Sequence, residues 1–83
     1  MEQTGGYRPD ERAETRRVRI EREMNDHQAT TVRVVDTGEY RTLVGYKSTA
    51  VRRVLERASK GETVTLVLAP TPGRGNSWVV LGD

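Results

Sequence analysis

Thr15-Arg16-Arg17-Val18-Arg19-Ile20-Glu21-Arg22-Glu23-Met24 is the stretch on which the fold turns. Val18, Ile20 and Met24 alternate with charged residues as they do on a half-buried strand, and Arg22 breaks the alternation. Ala13, Arg17, Ile20 and Met24 also fit one face of a helix. The strand is favoured, because Asn25-Asp26-His27-Gln28 reads as a turn toward Thr31 and a lone hairpin needs further strands to be stable.

Downstream, Val32-Arg33-Val34-Val35-Asp36-Thr37-Gly38-Glu39-Tyr40-Arg41-Thr42-Leu43-Val44 reads as a β-hairpin. Asp36-Thr37-Gly38 suits a three-residue loop with Gly38 in the left-handed region. That register sets Val34 opposite Tyr40, Arg33 opposite Arg41 and Val32 opposite Thr42. Val32, Val34, Tyr40, Thr42, Val44 and Tyr46 then share a core face. Thr31, Arg33, Val35, Arg41, Leu43 and Lys47 share the outer one.

A helix is expected from about Ser48 to Lys60. Val51, Val54, Leu55 and Ala58 form one apolar stripe, while Arg52, Arg53, Glu56 and Arg57 take the other side. Ser48 or Thr49 suits the N-cap, and Gly61 the left-handed residue that ends the helix. Thr63 to Leu68 reads as a strand with Val64, Leu66 and Leu68 on one side. Pro70, Pro72, Gly73 and Gly75 mark a loop, and Ser77 to Leu81 reads as the last strand. Both faces of that strand are apolar, so the direction of Trp78 stays open.

The resulting order, β-β-β-α-β-β, resembles the OB-fold, a small five-stranded barrel whose helix sits between the third and fourth strands. The fold class expected is thus α+β, an OB-like barrel over residues 16–83. Were residues 10–24 helical or disordered, the remaining β-β-α-β-β order would look like the β-grasp fold; the ending Leu81-Gly82-Asp83 lacks the Gly-Gly of that family's conjugated members. The OB resemblance implies a binding surface on the outward face of the second and third strands, with the loops Asn25 to Gln28 and Pro70 to Asn76 beside it.

Composition bounds the rest. The 83 residues hold one domain, with 34% hydrophobic and 31% charged residues, and residues 1–15 read as a disordered charged tail whose only large apolar side chains are Met1 and Tyr7. No run is long and apolar enough for a membrane span or a signal peptide, so a cytoplasmic protein is expected. There is no cysteine and one histidine, His27, so neither a metal site nor a cofactor is expected. No nucleophile is paired with a base, which makes an enzyme the least expected class. Residues 1–28 carry six Arg against seven acidic groups, whereas residues 29–83 carry eight basic against five acidic groups, so the domain is the basic part.

Arg33 beside Arg41 is the sharpest feature, since like charges directly across a ladder destabilise it unless something neutralises them. Phosphates would do so; so would Glu21 or Glu23 on the first strand. Gly73-Arg74-Gly75-Asn76 lacks the Lys-Ser/Thr of a P-loop and reads as a flexible loop carrying one cation. Arg16-Arg17-Val18-Arg19 extends the basic character but is interleaved with acids. Arg52, Arg53, Arg57 and Lys60 read as the solvated face of the helix. The function expected is a module binding single-stranded nucleic acid or RNA through Arg33, Arg41, Lys47 and Arg74, with Trp78 stacking on a base. The alternative is a protein-interaction module, a homodimer through a sheet edge or the apolar last strand.

Overall fold

The computed structural model describes residues 12–73 and 75–83. Five strands and one helix follow in the order β1 (Glu14–Arg22), β2 (Thr30–Val34), β3 (Tyr40–Tyr46), α1 (Thr49–Arg57), β4 (Thr63–Pro70) and β5 (Ser77–Gly82). The strands close into a barrel in the order β1-β2-β3-β5-β4, with β4 returning to β1. All pairs are antiparallel except β3 with β5, which is parallel. This is the OB-like small barrel, and the β-grasp alternative falls because residues 14–22 are a strand paired on both sides.

Alternation in β1 sends Val18 and Ile20 inward, against Val34 and Val32 of β2. Arg22, where the alternation fails, marks a bulge: Ile20 pairs Val32, Glu21 is the extra residue, and Arg22 pairs Thr31. Glu14 and Thr15, assigned from sequence to the tail, already belong to β1. Arg12 and Ala13 are exposed and precede the strand, and the remaining part of that assignment, residues 1–11, lies outside the described residues. Asn25 organises the β1–β2 turn: its Oδ1 accepts hydrogen bonds from the backbone N–H groups of His27 and Ala29 at 2.9 and 3.0 Å.

The β2–β3 register differs by one residue from the sequence expectation. Arg33 lies opposite Tyr40, Val32 opposite Arg41 and Thr31 opposite Thr42. The cause is the turn. Gly38, at φ 76°, donates its N–H to the Val34 carbonyl at 2.8 Å, so Val35 joins the loop, which has four residues rather than three. A one-residue slip turns every side chain of a strand to its other face. Leu43 and Arg41 therefore point inward, and Tyr40 points outward with 52% of its surface exposed.

Ser48 caps α1, its Oγ accepting from the Val51 N–H at 3.2 Å. Val51, Leu55 and Ala58 lie in the core with Val18, Ile20, Val32, Leu43, Leu66, Leu68 and Val80. The helix stops at Arg57, capped by Ala58 in extended conformation, short of the end assigned to Gly61. Gly61, at φ 91°, serves instead the turn into β4, where its N–H donates to the Ile20 carbonyl at 2.8 Å. Because α1 connects the end of β3 to the start of β4, it closes the barrel end at which β1 finishes. At the other end, where β1, β3 and β5 begin, no helix lies among the described residues.

Candidate functional site

Outward positions in a closed barrel alternate with core positions, so Arg17 and Arg19 of β1, Arg33 of β2 and Tyr40 of β3 all face away from the core. Register then aligns three of them. Arg19 stands directly opposite Arg33, and Arg33 directly opposite Tyr40, giving a row across three strands. The Arg33 guanidinium sits 5.7 Å from the centre of the Tyr40 ring, within the range of a cation–π contact. Gly38 leaves room beside it: a Cβ there would stand 3.6 Å from Arg33 Nη2. Val35, 45% exposed, completes a shallow depression of about 170 Å³ with Arg19 and Arg33.

Neutralisation of this row is weak. Arg19 Nε reaches Glu21 Oε2 at 3.9 Å, a contact at the limit of ion-pair distance with the arginine itself exposed. Arg33 makes no ion pair with any described residue. Glu23, the other carboxylate considered as its partner, accepts instead from the Lys60 backbone N–H at 3.0 Å.

Arg41 lies elsewhere. Its side chain is inward, 5% exposed, at the barrel end opposite α1. Nη1 donates to Glu14 Oε1 at 3.2 Å and Nη2 to Glu39 Oε1 at 3.0 Å, while the guanidinium covers the Trp78 ring at 3.7 Å. Trp78 thus faces the inner side of β5, in line with Val80. Its Nε1 donates to Asn76 Oδ1 at 2.8 Å, and Asn76 Nδ2 donates to the Tyr40 carbonyl at 2.7 Å. The expected pair of Arg33 with Arg41 therefore does not form. Glu14 is partly desolvated, which raises its pKa, but hydrogen bonds from Arg16 and Arg41 and their positive charges outweigh this and hold it below the ordinary glutamate value.

Lys47 is exposed just past β3, lining with Arg52 a cleft beside the start of α1, and its backbone N–H donates to the Val80 carbonyl at 2.9 Å. Arg74 lies outside the described residues. Of the sequence-derived set, Arg33 alone joins the three-strand row. Arg17, Arg19 and Tyr40 were missed as site residues, although the alternation of residues 15–24 already set Arg17 and Arg19 opposite Val18 and Ile20. What the sequence lacked was the β1–β2 register that brings Arg19 to Arg33.

Among the described residues, no group of three or more His, Cys, Asp or Glu is placed to hold a metal ion, and no helix is long and apolar enough to cross a membrane. No curated protein and no solved structure matches the chain. A model of one family of unknown function, DUF7999, matches residues 2–82, and the chain belongs to that family.

Proposed function

We propose that the protein is a small cytoplasmic nucleic-acid-binding module whose phosphate contacts centre on Arg19 and Arg33. The observation that carries this reading is their cross-strand pairing: Arg19 and Arg33 face each other on an exposed surface, and the ion pair described at this row is the long one of Arg19 with Glu21 at 3.9 Å. A like-charge pair costs ladder stability unless an anion bridges it, and a phosphate backbone supplies anions at regular spacing. Arg17 lies two positions before Arg19 on the same face, and Tyr40 offers an exposed ring beside Arg33 on which a base can stack. Lys47 remains a peripheral cation in this reading. Arg41 and Trp78 do not, since each is already engaged with the other.

Binding of a fluorescein-labelled fifteen-residue oligouridylate, followed by anisotropy at several salt concentrations, tests this. Arg19→Ala with Arg33→Ala is expected to weaken binding by at least tenfold and to lower the salt slope by about one to two units. The same double change is expected to leave the melting temperature unchanged or slightly raised, because it removes a like-charge pair. Unchanged affinity and slope would remove this face from the reading. Closure of the barrel gives every strand two neighbours, which favours the nucleic-acid reading over a homodimer through a sheet edge.

A further inference from the structure

The helix carries a second surface that the nucleic-acid reading does not use. Between α1 and the beginning of β4 lies an open groove of about 460 Å³. Its floor is aliphatic: Ala58 is a core residue, and Val54 and Val64 pack half-buried against the core edge. Its rim is cationic. Arg53 and Arg57, one helical turn apart, both line it.

Like charges at this spacing destabilise a helix, and a neighbouring carboxylate would relieve the repulsion. The one acidic residue of α1, Glu56, is paired with Arg52 at 3.3 Å, which leaves Arg53 and Arg57 without an ion pair among the described residues. Glu62, also on the groove, turns its Oε1 to the Ser59 N–H at 2.8 Å. The surface therefore combines exposed aliphatic area with two cations that nothing on the helix neutralises.

We propose that this groove is a docking site for a segment of another protein that presents an aliphatic side chain flanked by Asp or Glu residues. Charge complementarity selects the acids, through two guanidinium groups suited to forked hydrogen bonds with carboxylates. The aliphatic floor selects the central side chain, because burying it removes Val54 and Val64 from water. A nucleic acid satisfies only the first requirement: its backbone brings no aliphatic group, and the residues lining the groove include no aromatic ring to stack on a base.

The test is a titration of the isotope-labelled full chain, followed by amide chemical shifts, with the probe peptide acetyl-Asp-Glu-Leu-Leu-Glu-Asp-amide. Shift changes concentrated at Ala50, Arg53, Val54, Arg57, Ala58 and Val64 are expected. Replacing both leucines of the probe by serine should weaken binding by at least fivefold, and the double variant Arg53→Glu with Arg57→Glu should weaken it by at least tenfold. Ala50→Glu guards against a folding artefact. Residue 50 is exposed in the first turn of α1, where a carboxylate favours the helix dipole, so this variant should melt at the same temperature or higher yet bind the probe several-fold more weakly. Three results would overturn the proposal. One is no shift at millimolar peptide. Another is equal binding of the serine probe, or shifts spread equally over Arg19 and Arg33, which would mean charge alone. The third is that laurate or the oligouridylate, and not the peptide, perturbs the groove residues.

Discussion

The Arg41 guanidinium lies 3.7 Å from the centre of the Trp78 ring, so a cation from β3 and an aromatic from β5 pack together at the end of the barrel opposite α1. Glu14, itself bonded to Arg16 at 2.9 Å, and Glu39 hold the cation in place. Both terminal nitrogens are bonded to carboxylates, as a buried charge requires, while Nε is buried without a hydrogen-bond partner among the described residues.

Arg41→Ala should destabilise the protein by about 1 to 3 kcal/mol, because it strips the Trp78 face and leaves two carboxylates without their shared cation. Urea denaturation followed by Trp78 fluorescence measures this, and the native emission should move to longer wavelength as the ring gains water. A variant as stable as the parent with unchanged emission would mean that this contact contributes nothing.

Acid should weaken the same cluster. Glu14 has its pKa depressed in the folded state, so its contribution is fully present above the unfolded-state glutamate pKa and is lost as pH falls through the lower, folded value. Melting temperatures measured from pH 7 down to pH 2.5 should therefore decline below about pH 4.5. Glu14→Gln should begin lower at pH 7 and show a shallower decline. Parallel curves for the two proteins would contradict the assignment.

Leu55 is fully buried where α1 meets the barrel. Leu55→Ala is expected to cost about 2 to 5 kcal/mol, a large share of the stability of so small a domain. Circular dichroism on heating reads this directly, and a melt within a degree or two of the parent would show that the helix contributes little to the core.

Gln28 adopts φ 61°, a left-handed conformation unfavourable for a side chain with a Cβ. Its carbonyl accepts a hydrogen bond from the Tyr46 hydroxyl at 2.7 Å, and Thr30 Oγ1 lies 3.1 Å from the same hydroxyl. Gln28→Gly should stabilise by about 0.5 to 1 kcal/mol, whereas Tyr46→Phe should destabilise by about 1 kcal/mol. Burial, as the largest influence, pushes the Tyr46 phenol above its ordinary pKa. Its share of stability is thus intact below the unfolded tyrosine pKa and lost as pH rises through the higher folded value. Tyr46→Phe should remove that part of the alkaline decline.

Element order was legible because it is written locally: alternation at Val18 and Ile20, the stripe Val51, Leu55 and Ala58, and the Ser48 cap each depend on near neighbours. The register of β2 on β3 was not, because Asp36-Thr37-Gly38 accommodates loops of three or four residues. Only the placement of Leu43 inside the closed barrel decides between them. Gly61 misled for a related reason: a left-handed glycine suits either a helix end or the turn before a strand, and here it serves the second. The buried state of Arg41 was beyond local reading, since its partners Glu14 and Trp78 arrive from distant parts of the chain. Arg19, by contrast, was nearly visible. Its outward direction followed from Val18 and Ile20, and only the strand it faces was missing.

The parallel seam between β3 and β5, where Gly45 approaches the Val79 side chain to 3.4 Å from its would-be Cβ, bears on how the chain reaches this state. Parallel neighbours cannot form by simple hairpin closure, so β3 must wait until α1, β4 and the β4–β5 connection have been laid down. The β1–β4 pairing, from Glu14 with Leu68 to Arg19 with Thr63, likewise joins segments far apart in sequence. Loop entropy is spent before either contact returns anything, which puts refolding among the slow, non-local β topologies at roughly milliseconds to seconds. Until the seam zips, β3 and β5 each expose an unpaired edge, and that interval is when two chains are most at risk of exchanging strands.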